Sequence, residues 1–76
     1  MKLINFKLNN NYIFELDFED GTHKTVNLGP LIETKVSKNE LKSANIDKDW
    51  GCLEFNNGNV DIEPKTLYHY AVGQIN

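Results

Sequence analysis

The segment GCLEFNNGNVDIEPKTLY, residues 51–68, predicts a strand, a returning strand and a helix in immediate succession. Hydrophobic side chains alternate with polar ones on both sides of Asn57-Gly58, which is the pattern of a β-hairpin closed by a tight turn. Pro64 suits the first position of a helix, because the N–H group that proline lacks would have no partner there. We expect the helix to end near Gly73. Leu53 and Phe55 would point to one side of the first strand, and Val60 and Ile62 would lie in the returning strand. In the helix, Leu67, Tyr70 and Ala71 recur at helical spacing.

The N-terminal third of the chain predicts a β-meander of three strands. An asparagine run, residues 9–11, favours a turn after the first strand, since asparagine tolerates left-handed backbone conformations. Residues 12–18 alternate most clearly, Asp20-Gly21 favours a hairpin turn, and residues 22–28 form the return strand. The inward-facing side chains would be Ile4, Phe6 and Leu8 in the first strand, and Val26 and Leu28 in the third.

The middle of the chain predicts short helical segments. Gly29-Pro30 interrupts the sheet pattern, and one helical turn would follow at residues 31–33. Ser37 and Glu40 have the spacing of a capping box, in which each side chain satisfies a free backbone amide at a helix start. The short helix that this box would open runs over residues 38–43.

These elements together predict an α+β domain. Ile46 would lie in a short strand or a bend before the second hairpin. The architecture would be two antiparallel β-hairpins or a meander, a short middle helix, and a C-terminal helix packed on the sheet. A chain of this length forms a single domain, residues 1–76.

Composition disfavours several classes of function. The 76 residues carry a net charge of −3, and all eight basic residues are lysine. Arginine binds phosphate and guanine through two parallel hydrogen bonds, so direct nucleic-acid binding is not expected of a chain without it. One cysteine gives no internal disulfide, and no apolar stretch approaches the ~20 residues of a membrane span. We therefore expect a cytoplasmic protein that does not act at a membrane.

Acidic residues in the strands are the first candidates for a binding surface. Glu15, Asp17 and Glu19 fall on one face of the second strand, and Asp61 and Glu63 would extend this face if the two sheets abut. One interpretation is a surface that meets a basic partner. The other is the ordinary solvated face of a half-buried strand, which is the commoner origin of such a pattern.

Aromatic residues are the second set of candidates. Trp50 lies in a polar loop after Ile46, where an exposed indole would indicate a protein interface. The alternative is that Trp50 covers one edge of the small core. Of Tyr68 and Tyr70, we expect one to pack on the sheet and the other to remain exposed.

The remaining reactive residues do not form a recognisable catalytic or metal site. His23, His69 and Cys52 match no recurrent ligand spacing, and a zinc site would need three or four ligands. Cys52 is predicted within a strand, away from the helix N-termini that lower thiol pKa values, so a structural cysteine is expected. We therefore expect no cofactor, no metal and no enzymatic activity.

The two hairpins together resemble a known bacterial family. Residues 51–68 are similar to the pattern of the family catalogued as domain of unknown function 2442: a glycine, a tryptophan in the strand, an Asn-Gly turn, a proline and Leu-Tyr. Residues 14–21, FELDFEDG, are similar to its aromatic strand ending in Asp-Gly. The chain departs from the family at Phe55, where tryptophan is common, and at Asn27, where aspartate is common.

This resemblance implies a small bacterial protein without enzymatic activity. Some members of the family are fused to a helix-turn-helix domain. Many are encoded beside another small protein, in an arrangement that resembles toxin–antitoxin pairs. The resemblance therefore implies an antitoxin-like role, with a small partner protein that acts on RNA or DNA.

Three functions remain open on the sequence. The first is a non-enzymatic interaction module that binds a basic protein through its acidic strand face or through a sheet edge. The second is a phage- or mobile-element-encoded inhibitor of a nucleic-acid-guided defence complex, of the anti-CRISPR type. The third is a weak nucleic-acid-binding accessory protein. Exposed strand edges would also permit a homodimer.

Overall fold

The computed structural model describes residues 1–73 and begins with a three-stranded antiparallel sheet. Its strands are β1 (Leu3–Leu8), β2 (Ile13–Phe18) and β3 (His23–Asn27), in the order β1-β2-β3. The turns between them use positive φ angles, at Asn11 (48°) and at Gly21 (90°). Asparagine and glycine adopt this conformation at low cost, so the predicted β-meander and both of its turns are confirmed.

The second sheet is also three-stranded and antiparallel. It contains β4 (Asn45–Asp47), β5 (Cys52–Phe55) and β6 (Val60–Ile62), in the order β4-β5-β6. The β5–β6 hairpin agrees with the prediction, and Ile46 lies in a true strand, β4, that completes the sheet. The α+β class is therefore confirmed. In the second half of the chain, β4 adds a third strand to the β5–β6 hairpin.

Within residues 1–73, three short helices connect and cover the sheets. The first, α1 (Gly29–Ile32), begins at the glycine-proline pair that ends the first sheet. A 3₁₀ helix occupies Lys38–Ser43, where the Glu40 carboxylate accepts a hydrogen bond of 2.8 Å from the Ser37 amide, as the capping box predicts. The last, α2 (Pro64–Val72), begins at Pro64 and is capped by Gly73.

Two local predictions were wrong. A register shift between Leu3 and Asn5 gives β1 a β-bulge, so Leu3 is buried and Ile4 is 61% exposed, the reverse of the expected inward position of Ile4. The β5–β6 turn is also longer than an Asn-Gly pair. Asn56, Asn57 and Gly58 all have positive φ angles, and the strands resume only at Val60.

The core lies where the inner faces of both sheets meet the helices. Phe14 of β2 and Phe55 of β5 are fully buried and pack edge to face, with ring centroids 6.1 Å apart. Tyr68 of α2 packs on Phe18 with a centroid distance of 5.0 Å, which places the C-terminal helix against the first sheet. The other buried hydrophobic residues of this cluster include Leu3, Leu16, Val26, Leu28, Ile32, Val36, Leu41, Leu53, Ile62, Leu67 and Ala71.

Candidate protein-interaction face

The carboxylates predicted on β2 are paired within the protein. Glu15 and Asp17 lie on the outward face, where Lys7 stands opposite Glu15 and His23 stands opposite Asp17. Nδ1 of His23 hydrogen-bonds to Oδ1 of Asp17, and its Nε2 lies 3.7 Å from Oε1 of Glu15. The hydrogen bond to Asp17 raises the pKa of His23, and the charges of Asp17 and Glu15 add to this effect.

Glu19 lies just beyond the end of β2 rather than within it. Its carboxylate accepts a hydrogen bond of 3.0 Å from the Lys2 amide and lies 3.8 Å from the N-terminal amine of Met1. Glu15, Asp17 and Glu19 therefore all have partners inside the chain. We refer to these three carboxylates as the first-sheet acidic row.

A second group of carboxylates lies on the outward face of the second sheet. Glu54 of β5 is flanked by Asp61 of β6, and Cys52 of β5 is flanked by Asp47 of β4. Opposite residues of antiparallel strands project to the same side, so Asp47, Glu54 and Asp61 share one face across three strands. Glu63 follows β6 as the residue that caps α2. We call Asp47, Glu54, Asp61 and Glu63 the second-sheet acidic face.

Sequence reasoning identified only half of this face. Asp61 and Glu63 were predicted as binding residues, whereas Asp47 and Glu54 were missed. The available signal was alternation: Glu54 stands between the inward residues Leu53 and Phe55, and therefore had to point outward. The missing information was the pairing of β4 with β5, which brings Asp47 alongside.

Trp50 is held at the end of the β4–β5 hairpin by a tightly bonded turn. The Asp47 carboxylate accepts a hydrogen bond of 3.0 Å from the Asp49 amide, and the Gly51 amide donates to the Asp47 carbonyl oxygen. The Gly51 carbonyl oxygen in turn accepts a hydrogen bond of 3.2 Å from the Leu3 amide of β1. Trp50 is 72% exposed on this turn, so the structure does not use its indole to cover the core.

Trp50 and three of the carboxylates line one concavity of about 460 Å³, which we call the Trp50 cavity. Cys52 also lines it and is only 9% exposed. Burial raises the pKa of the Cys52 thiol, and the negative charges of the second-sheet acidic face raise it further. The full lining is Met1, Asp47, Trp50, Cys52, Asp61, Glu63, Pro64 and Lys65. None of the carboxylates of the first-sheet acidic row is among them, so Asp61 and Glu63 join Trp50 rather than extending that row.

The two acidic groups differ in how far they are neutralised. Among the carboxylates of residues 1–73, those that form ion pairs are Glu15, Asp17 and Glu19. None of the carboxylates of the second-sheet acidic face takes part in an ion pair in that part of the chain. Over the same residues, no group of three or more His, Cys, Asp or Glu side chains is arranged to hold a metal ion. The carboxylates that line the concavity with Trp50 are therefore not neutralised by an ion pair in this part of the chain.

Both tyrosines of α2 are half-buried, so the prediction that one of them stays exposed was wrong. The Tyr68 hydroxyl donates a hydrogen bond of 3.0 Å to the Asp20 carboxylate at the β2–β3 turn. The Tyr70 hydroxyl donates one of 2.7 Å to the carbonyl oxygen of Asn27, in β3. Their hydroxyls hold the helix against the first sheet, which leaves Trp50 as the exposed aromatic side chain of the predicted set.

The sheet edges are poorly suited to pairing with another strand. On the second sheet, the edge strands β4 and β6 have three residues each, and Pro64 follows β6 closely. On the first sheet, β1 carries a bulge and bonds to Gly51, and β3 lies under Tyr70. Short strands, bulges, proline and covering elements are the means by which proteins prevent edge-to-edge association.

The comparisons with known proteins identify a family but not a function. Among the described residues, no helix has the length and apolar character needed to cross a membrane. No curated protein and no solved structure matches the chain. Residues 3–73 match the model of the family described as protein of unknown function (DUF2442). This match covers nearly the whole chain and agrees with the resemblance found in its two hairpins, so the protein belongs to the DUF2442 family.

Proposed function

We propose that this protein is a small, non-enzymatic interaction module that binds a basic protein partner through the second-sheet acidic face and Trp50. One observation carries the proposal: an indole that is 72% exposed lines the same concavity as Asp47, Asp61 and Glu63. Tryptophan is among the residues that contribute most to protein interfaces, because it buries a large area with few rotatable bonds.

The charge of this face favours a basic protein over a nucleic acid. Phosphate groups would be repelled by unpaired carboxylates, whereas a lysine- or arginine-rich surface would be attracted and steered toward them. The first-sheet acidic row is the weaker candidate because His23, the Lys2 amide and the N-terminal amine already contact its carboxylates. Because the sheet edges are short, bulged or covered, binding through a sheet face is favoured over the addition of a partner strand to an edge.

An antitoxin-like role forms part of the proposal. Proteins that act on RNA or DNA present basic surfaces to phosphate. A small acidic domain that covers such a surface would block access of the nucleic acid. The gene arrangement implied by the family resemblance supports a partner of this kind.

Two charge-matched double variants test the proposal. Asp61→Asn/Glu63→Gln removes two carboxylates from the second-sheet acidic face, and Glu15→Gln/Asp17→Asn removes two from the first-sheet acidic row. Wild type and both variants would be immobilised and used to capture partners from a lysate of the native host. The recovered partner would then be purified and its affinity measured at low and high salt.

We expect the Asp61/Glu63 variant to bind the partner more weakly and with a shallower salt dependence, since fewer charges contribute to the attraction. The Glu15/Asp17 variant should bind as wild type does. Equal affinity of both variants for the partner would contradict the proposal. A greater loss in the Glu15/Asp17 variant would instead identify the first-sheet acidic row as the binding surface.

A further inference from the structure

The Trp50 cavity has the chemistry of a receptor for a single cationic side chain. We infer that it receives one arginine side chain of the basic partner, with the guanidinium stacked on Trp50 and hydrogen-bonded to Asp61 and Glu63. This inference rests on the proposed function and adds to it the chemical group that is recognised.

The lining of the cavity supplies both kinds of contact that a guanidinium makes. Trp50 offers an exposed aromatic face, and indole is the aromatic ring that binds cations most strongly. Met1 and Pro64 add apolar surface against which the methylene groups of a long side chain can pack. Asp61 and Glu63 supply carboxylate oxygens, which accept paired hydrogen bonds from a guanidinium.

The charge of the cavity selects a cation. Its lining includes three carboxylates against two residues with a basic group, which are Lys65 and Met1, whose N-terminal amine lies 3.8 Å from Glu19. Burial is the main cause of the raised pKa of the Cys52 thiol, and the charges of Asp61, Asp47 and Glu63 raise this pKa further. A bound cation would relieve the repulsion among these carboxylates, whereas an anion would increase it.

Arginine fits this lining better than lysine does. A guanidinium is planar, so it can stack on an indole and bind carboxylates with its edge at the same time. An ammonium group is more strongly hydrated and cannot form the same paired hydrogen bonds. These 76 residues contain no arginine, so we assign the group to the partner.

The single tryptophan of the chain makes the test direct, since indole fluorescence reports on Trp50 alone. The purified protein would be titrated with three capped Gly-Gly-Xaa-Gly-Gly peptides, in which Xaa is arginine, lysine or citrulline. Citrulline keeps the shape of arginine without its charge. We expect the arginine peptide to bind about two- to fivefold more tightly than the lysine peptide, and the citrulline peptide to give no response.

Three variants locate the site. Peptide binding to each variant would be monitored by NMR through the backbone amide signals of Gly51 and Cys52. Trp50→Leu and Asp61→Asn/Glu63→Gln should lose the response to the arginine peptide. Trp50→Tyr should keep most of it, because an aromatic face remains. Circular dichroism would confirm that each variant is folded, since Trp50 is exposed and its replacement leaves the core intact.

The outcomes separate this inference from the proposed function. Equal binding of the arginine and lysine peptides, or binding that Trp50→Leu leaves unchanged, would overturn the guanidinium site. The proposed function would stand if the partner still required Asp61 and Glu63. A fluorescence change that depends on protein concentration alone would identify a second copy of the chain as the occupant and would also overturn the arginine assignment.

Discussion

A Cβ atom on Gly51 would lie 2.5 Å from the Cβ of Lys2, so the turn that carries Trp50 packs directly against the start of the chain. Gly51 also has a φ angle of +75°, which strains any other residue. The Gly51 carbonyl then accepts the Leu3 amide, which connects the second sheet to the first. The position of Trp50 therefore depends on Gly51. Any other residue at this position would displace Lys2, which leads into β1.

Replacement of Gly51 by alanine should lower the free energy of unfolding by about 2–3 kcal/mol, because strain and a steric clash act together. Gly21→Ala is the matched control. Gly21 has a φ angle of +90° but no atom within 4 Å of the added Cβ, so about 1–2 kcal/mol is expected. Urea unfolding measures both variants. Equal losses would show that the contact with Lys2 contributes nothing.

Replacement of Phe55 by alanine should remove one of the contacts that join the two sheets. Phe55 is fully buried against Phe14, and such truncations cost about 3–5 kcal/mol. A domain of this size has a stability of only about 4–10 kcal/mol, so the variant should be close to unfolding. Phe55→Leu fills more of the space and should cost about 1–2 kcal/mol. Phe55→Ala would be examined by scanning calorimetry. If the two sheets unfolded independently, the first sheet would keep a separate transition of its own, which would contradict this account.

Asn56 and Asn57 share a left-handed conformation but differ in their contacts. The Asn56 side chain donates a hydrogen bond of 3.1 Å to Glu40 and accepts one of 3.3 Å from Ser43. Asn57 is exposed, and no side-chain hydrogen bond of it is found among residues 1–73. Asn56→Ala should therefore cost about 1–2 kcal/mol more than Asn57→Ala, measured by urea unfolding. A larger loss at Asn57 would contradict this account of the turn.

His23 should make stability depend on pH. Its pKa is raised above the ordinary value of 6.5, first by the hydrogen bond to Asp17. A raised pKa in the folded state means that the protonated form stabilises the fold. This contribution is fully present below about pH 6.5 and is lost as pH rises through the folded-state pKa.

Comparison of wild type with His23→Gln in thermal melts tests this dependence. The difference in Tm should be larger near pH 5.5 than near pH 9, because the protonated imidazole is attracted by the charges of both carboxylates and the neutral imidazole is not. His69→Gln is the control for loss of a histidine, since no ion pair of His69 is found within the described part of the chain. A difference in Tm that does not change with pH would refute the role assigned to the His23–Asp17 pair.

Cys52 should react slowly with iodoacetamide at about pH 8, because the thiolate is the reactive form and the raised pKa keeps it scarce. Asp61→Asn/Glu63→Gln should speed the reaction by removing negative charge from its surroundings. The double variant Glu15→Gln/Asp17→Asn should leave the rate unchanged. Mass spectrometry of the folded protein gives these rates. Equal acceleration by both variants would indicate local unfolding instead of an electrostatic effect.

Local patterns were sufficient to predict most of the fold. Alternation identified five of the six strands, and Pro64, Gly73 and the Ser37–Glu40 spacing marked the helix ends. These signals work because each depends on neighbours a few residues apart. The bulge at Leu3–Asn5 was not predictable in this way, because the packing of Leu3 in the core decides which side chain turns inward.

The candidate site was predicted only in part. The sequence predicts Trp50, Asp61 and Glu63 as site residues and could have added Glu54 by alternation, whereas Asp47 needed the pairing of β4 with β5. The first-sheet acidic row shows the reverse case. Its outward direction followed from alternation, but its neutralisation by His23 and the N-terminal residues required the register of three strands and the course of the chain before β1.

The sequence by itself determined the acidic character of the protein, its two hairpins and the outward direction of Glu15, Asp17, Glu54 and Asp61. Period-two alternation and turn residues act locally, so no tertiary contact is needed to infer them. The tertiary structure alone decided which carboxylates enter ion pairs and which line the same concavity as Trp50. That outcome depends on the docking of Gly51 against Lys2 and on cross-strand partners far apart in the chain, and the free energy of such contacts appears only when both sheets are assembled.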